Sequence, residues 1–298
     1  MNIIKHRKIF LFSSVALMAL SVISISVFGL NPGIDFTGGT IWQVKSLSDQ
    51  LTTDSFKNFL ENEAGIKNPI VYPELESKSV FARFGNISEE NHQKYLEALK
   101  LKFSDIDELR FDSIGPVIGK ELKRKAVWAV ILVLLGISFY VAFAFRKVSY
   151  PVKSFKYGAI ALITLFHDVF VPIGLLSFLG WKYGVEVDIN FIVALLVIAG
   201  FSVHDTIVVF DRIRENLILR KDKDDFVKIV NDSVNQTIAR SVNTSLTLFL
   251  VLLALFFFGP ISLKYFVLTI LAGTAIGTYS SIFVASPLLT VWYKIGKI

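Results

Sequence analysis

Two His-Asp pairs, His167-Asp168 and His204-Asp205, each lie inside a long apolar run. An ionised carboxylate at the centre of a bilayer costs about 2.5–3.5 kcal/mol on insertion scales. Two such groups in one chain point to a use for them. The chemistry these residue types support is proton uptake and release along a polar path between helices. A carboxylate holds its proton more tightly when buried and less tightly beside a guanidinium. An Asp whose Arg partner approaches and withdraws therefore loads and unloads a proton. Each charge falling through 100 mV yields about 2.3 kcal/mol, enough to bias a rocking helix pair.

The cation sought is in the fifth apolar run, where Gln236, Arg240, Asn243, Thr244 and Thr247 form a polar stripe. In the fourth, Phe201, Asp205, Val208 and Arg212 share a helical face. At helical rise Asp205 and Arg240 both lie about 9 Å inside the membrane, and this matched depth predicts that they pair. A static ion pair that only fixes register is the bland alternative. Asp168 lies deeper, roughly 16 Å in, with Pro172 one turn on as a candidate kink. Its bland alternative is a polar anchor facing a loop or a water pocket. His167 and His204 read first as hydrogen-bonded core residues. Asn243 and Thr244 read equally as interhelical bonds worth about 0.6 kcal/mol each.

The elements that must position these groups follow from composition. The chain is 53% hydrophobic with 27 Phe, and its mean hydropathy is +0.58. That is the profile of an integral membrane protein. Six runs have spanning length: residues 9–30, 126–145, 157–179, 189–210, 234–258 and 265–292. The first is longer than a signal-peptide core and lacks a small-x-small cleavage site, so it reads as an uncleaved anchor. The net charge of +6 resembles a nucleic-acid signal. The basic residues instead flank the spans: Lys5, Arg7 and Lys8; Arg146, Lys147, Lys153 and Lys156; Arg212, Arg214, Arg220, Lys221, Lys223 and Lys228; Lys294 and Lys297. The short loops opposite hold only Lys182 and Lys264. This asymmetry predicts cytoplasmic termini, an extracytoplasmic segment after the first span, contact with membrane lipid and no nucleic-acid partner. The absence of Cys removes disulfides and thiolate ligands.

The outer segment predicts one small domain. Residues 40–45, 69–72, 79–84 and 109–114 read as strands, and 54–63 and 88–102 as helices. The order βαββαβ is ferredoxin-like. Phe56, Phe59 and Leu60 form one buried helix face, and Tyr95, Leu96 and Leu99 the other; His92 reads as a solvated surface residue. The expected division is 1–32 as the first transmembrane helix, 33–122 as the outer domain and 123–298 as five further helices. In the last span Thr269, Gly273, Gly277, Ser281 and Ala285 form a small-residue strip that reads as packing.

Four segments carry a resemblance to a known family: residues 33–40, 114–122, 200–216 and 235–245. Together they resemble SecF, the protein-export membrane subunits that work with SecD beside the Sec translocon. The resemblance implies a six-helix RND-like transmembrane bundle and use of the proton motive force to promote export across a prokaryotic cytoplasmic membrane. It implies SecD, the SecYEG translocon, YajC or YidC, and exported preproteins as partners, with no cofactor, no metal and no enzymatic activity. The family's proton route maps onto Asp205 and Arg240, to which the polar residues Asp168 and His204 are joined as relay candidates. In the resembled family Asn is also common at the position of His204, which leaves the part played by His204 open. Gly38-Gly39 matches a motif that would couple the outer domain to the first helix; a plain tight turn is the alternative.

Two rivals remain. A self-sufficient proton-coupled RND-type efflux transporter would need about twice this helix count and larger outer domains. An intramembrane metal enzyme built on the two His-Asp pairs lacks an HExxH motif, and neighbours on a helix point about 100° apart.

Overall fold

The computed structural model describes residues 2–46, 51–74, 79–103, 105–145, 152–220 and 225–295. Arg146, Lys147, Lys221, Lys223 and Lys297 of the charge argument lie outside them. The chain divides into two compact units, residues 1–31 with 128–298, and residues 32–127.

Helix α1 (Arg7–Phe28) belongs to the first unit. The second unit opens with a short helix that periodicity did not reveal, α2 (Ile34–Thr37). It continues through β1 (Gly39–Ser46), α3 (Thr53–Asn62), β2 (Ile70–Glu74), β3 (Ser79–Phe84), α4 (Glu89–Lys102) and β4 (Ile106–Ile114). The strands form one antiparallel sheet in the order β2-β3-β1-β4, the βαββαβ arrangement expected. Pro73 lies on the edge strand β2, where a missing N–H is tolerated. Helix α3 starts at a capping box between Thr52 and Ser55. Ser88 caps α4, accepting from the Asn91 amide at 3.4 Å. Trp42, Val44, Phe56, Leu60 and Leu99 fill the core.

His92 departs from expectation. It is 4% exposed, because α4 turns residues 92, 96 and 99 inward at helical spacing. Its ring stacks on Phe111 with centroids 3.5 Å apart. Its Nε2 meets Glu108 Oε1 at 2.6 Å, and Trp42 Nε1 donates to the same oxygen at 2.8 Å. The three form a closed polar knot inside the aromatic core.

The remaining helices are α5 (Pro116–Ala144), α6 (Ser154–Tyr183), α7 (Ile189–Leu219), α8 (Phe226–Phe258), α9 (Lys264–Ser280) and α10 (Ser286–Ile295). A widened π turn, Ser281–Ala285, joins α9 to α10. Pro287 lies just beyond it; lacking an N–H and crowding the turn before it, a proline is an identifiable cause of such a widening. Helix α6 runs on through Pro172. Among the described residues six helices are long and apolar enough to cross a membrane, with α9, the π turn and most of α10 making the last. Helices α1, α5 and α8 leave much apolar surface uncovered, including Phe12, Phe139 and Phe258.

The small-residue strip packs as expected. A methyl on Gly273 would fall 2.3 Å from Ile198 Cδ1, and one on Gly277 3.2 Å from Ser202 Cβ, so α9 lies close against α7. Gly174 of α6 likewise meets Ser21 of α1, and Ser24 Oγ donates to the Gly174 carbonyl at 2.8 Å.

Candidate functional site

The inward stripe of α7 runs Ile198, Ser202, Asp205, Val209, Ile213. It carries one acid among small and apolar residues. Helices α8 and α9 close over Asp205, which is 6% exposed. Ser241 Oγ of α8 donates to its Oδ1 at 2.6 Å, and Ser281 at the start of the π turn donates to its Oδ2. Asp168 of α6 is fully buried. Its Oδ2 accepts from Ser202 of α7 and from Ser280 Oγ of α9 at 2.5 Å. Its Oδ1 meets Nδ1 of His167 at 2.8 Å, with that ring 5% exposed.

The two acids thus occupy adjoining pockets that share α7 and α9. Consecutive serines of α9 and its π turn reach one acid each. Among the described residues neither acid has a Lys or Arg ion-pair partner, so hydroxyl dipoles hold both carboxylates, together with the His167 ring at Asp168. Bonds to a charged acceptor are the strong kind. A hydroxyl ladder continues from the Asp205 pocket: Ser245 Oγ bonds the Ser241 carbonyl at 2.7 Å and Thr278 Oγ1 at 2.5 Å.

The expected Asp205–Arg240 pair is not made. Arg240 is exposed and has no ion pair among the described residues. The reason is angular. Ser241, next to Arg240, takes the inward face of α8 with Ser233, Val234, Thr237 and Ser245, and one residue of offset turns Arg240 aside. Asn243, Thr244 and Thr247 are exposed on α8 as well. Gln236 accepts from Arg212 Nε at 2.6 Å and Asn216 Nδ2 at 2.9 Å. His204 is exposed, one residue off the α7 stripe. The His-Asp pairs therefore do not converge. His167 is the hydrogen-bonded interior residue that its sequence setting suggested.

The residues not anticipated are Ser202, Ser241, Ser280 and the acid-binding role of Ser281. Ser202 stands three before Asp205, on the same helical face, which was the available signal. Gly38 and Gly39, at φ +74° and +128°, occupy backbone conformations that favour glycine. They join α2 to β1 against the start of α5.

These features match known proteins over the whole chain. Residues 94–295 match the family described as protein export membrane protein SecD/SecF, C-terminal, and residues 23–46 match the SecD/SecF GG motif. The chain is 42% identical over 301 residues to the protein translocase subunit SecF of Thermobaculum terrenum, covering 98% of this chain and 93% of that protein. It is 40% identical to SecF of Anaerolinea thermophila, covering 98% and 94%. The crystal structure of SecDF, a translocon-associated membrane protein of Thermus thermophilus, superimposes with a TM-score of 0.81 at 35% identity. That match covers 99% of this chain and 39% of the SecDF chain, so the chain spans about two fifths of that relative.

A multi-pass bundle with buried acids and one small antiparallel-sheet domain is the architecture of a protein-export membrane subunit. The chain belongs to the SecD/SecF family, among the SecF protein translocase subunits. It is a transport protein, not an enzyme.

Proposed function

We propose that the chain acts with a SecD partner to draw protein export across the cytoplasmic membrane with the proton motive force, and that Asp205 and Asp168 carry the protons. The observation that carries this reading is the pair of adjoining carboxylates, buried in the spanning bundle and held by hydroxyls, with the His167 ring at Asp168 and no Lys or Arg ion-pair partner among the described residues. Burial favours the protonated form of an acid, and water or a mobile cation reaching it favours the ionised form. Arg240 is exposed on α8, beside the exposed Asn243 and Thr244, and His204 is exposed on α7. A lone Arg facing lipid is expensive, which supports a polar partner there. SecD is that partner in this reading, since the SecDF relative carries more than this chain's length in one polypeptide.

The remaining basic residues that flank the spans favour cytoplasmic termini and an outer domain on the far side. The outer domain then works beside the SecYEG translocon, with YajC or YidC and the exported preprotein as further partners. Gly38-Gly39 serves as the joint between that domain and α1.

The test is Asp205→Asn in membranes containing SecD, with export measured with and without a proton gradient. The substitution removes the titrating group and little volume. Gradient-dependent stimulation is expected to vanish while insertion and partner association persist. Full stimulation in the variant would overturn the reading.

A further inference from the structure

Ser281 Oγ has a second acceptor besides Asp205: the Thr278 carbonyl at 3.0 Å. Ser280 Oγ likewise has the Gly277 carbonyl at 3.1 Å besides Asp168. A serine has one hydrogen to give and two lone pairs to receive. Ser202 and Ser241, the other hydroxyls on these acids, show a single acceptor each, the carboxylate. We infer that Ser280 and Ser281 are proton-responsive positioning residues, whose hydroxyls turn between an acid and the preceding helical turn as that acid gains or loses its proton.

The exchange balances. With Asp205 ionised, Ser281 O–H donates to Oδ2 and the Thr278 carbonyl keeps its backbone bond alone. When a proton arrives, an O–H bond forms at Oδ2 and donates to Ser281 Oγ. The serine hydrogen then swings to the Thr278 carbonyl, and no covalent bond of the serine breaks. Every buried oxygen keeps a partner in both charge states, which removes the expense of an orphaned polar group from either one. Ser280 offers Asp168 the same exchange through Gly277. The two serines are neighbours at the junction of α9 and the π turn, so one backbone segment holds both switches.

Among the described residues the titratable side chains hydrogen-bonded at these acids are His167 from α6 and the acids themselves, Asp168 and Asp205; α8 and α9 present hydroxyls there. Arg240, the neighbour of Ser241 on α8, is exposed.

This inference rests on the proposed proton role of Asp205, and its test separates the two. The full chain with SecD is reconstituted and the carboxyl C=O stretch is read by infrared difference spectroscopy between high and low pH. Asp205→Asn identifies the Asp205 band by deleting it. In Ser281→Ala that band is expected at higher frequency, since the protonated acid has lost its acceptor. The pH profile of gradient-driven export is expected to move, and its maximum to fall about tenfold, as the loss of one hydrogen bond to a charged group gives. Ser281→Thr restores the hydroxyl and is expected to restore band and profile. Ser281→Cys preserves volume and is expected to shift the band part of the way, which guards against a folding defect in the alanine variant. A band and profile unmoved in both the Ala and Cys variants would overturn the inference. Asp205→Asn retaining full export would overturn the proton role instead, while the band shift would still report the serine contact.

Discussion

Gly119 on the first turn of α5 lies against the backbone of Gly38: a methyl on Gly119 would sit 2.9 Å from the Gly38 nitrogen. The reciprocal contact is as tight, with a methyl on Gly38 falling 2.8 Å from Pro116 Cα. Backbone atoms cannot swing aside as a side-chain tip does. By helix propensity alone Gly119→Ala would stabilise the chain by about 1 kcal/mol. Overpacking of this kind costs about 1–3 kcal/mol, so the net change is expected to be destabilising. Gly38→Ala adds a left-handed backbone cost of about 1–2 kcal/mol and is expected to be worse. Thermal unfolding of the full chain in detergent checks both; a raised midpoint for Gly119→Ala would refute the contact.

Glu108 holds two buried donors, Trp42 Nε1 and the His92 ring. Glu108→Ala strands both and is expected to cost about 1–3 kcal/mol. Hydrogen exchange at the amides of β1 and β4 should quicken, and protection equal to the parent would count against the knot. Glu89 lies at its rim. Hydrogen bonds from Gln93 and then His92 hold its carboxyl below the ordinary carboxylate range. Its contribution is therefore present above the unfolded-state pKa and lost as pH falls through the lowered folded value. Being exposed, it should add little to the acid sensitivity of the domain.

Arg240 makes no ion pair within this chain among the described residues, so Arg240→Gln should leave the unfolding free energy of the isolated chain within about 0.5 kcal/mol of the parent. Gradient-driven export with SecD present should nevertheless fall. Arg240→Lys should recover little if the planar fork is what the partner reads. A large loss of stability in the isolated chain would show instead that Arg240 has an internal role.

Gly273 and Ile198 interlock across α9 and α7. Gly273→Ala should destabilise by about 1–3 kcal/mol through overpacking. Ile198→Val trims the opposing side chain and should return part of that loss when combined with it. Neighbours of this kind couple by about 0.5–3 kcal/mol. Strict additivity in the double variant would mean that the helices do not meet there.

The spans, the βαββαβ order and the acids were legible because they rest on long-range hydropathy and helical spacing. Asp168 and Asp205 stand out wherever they are put in an apolar run. The partners of Asp205 did not, for a physical reason. Arg240 is the conspicuous polar group of its helix, but its neighbour Ser241 is the one that faces inward and is small enough for the interior. Hydroxyls buried at helix contacts resemble ordinary small-residue packing in a sequence, and Ser281 was read that way. His92 looked solvated because Asn91, Gln93 and Lys94 surround it; only α4 settling on β1 and β4 turned its ring toward Trp42.

The meshing of α9 with α7 constrains how this bundle can work. Gly273 seats Ile198 and Gly277 seats Ser202, in the stretch of α9 just ahead of the serines that touch both acids. Sliding one helix along the other by a fraction of a turn would ram those side chains into main chain. Shear between them is thus opposed, and Ser202 and Asp205 travel with Ser280 and Ser281 as cargo of a single stiff body. Under the proposed proton role, access to the acids then falls to neighbours that swing around that body, first from one aqueous phase and afterwards from the other.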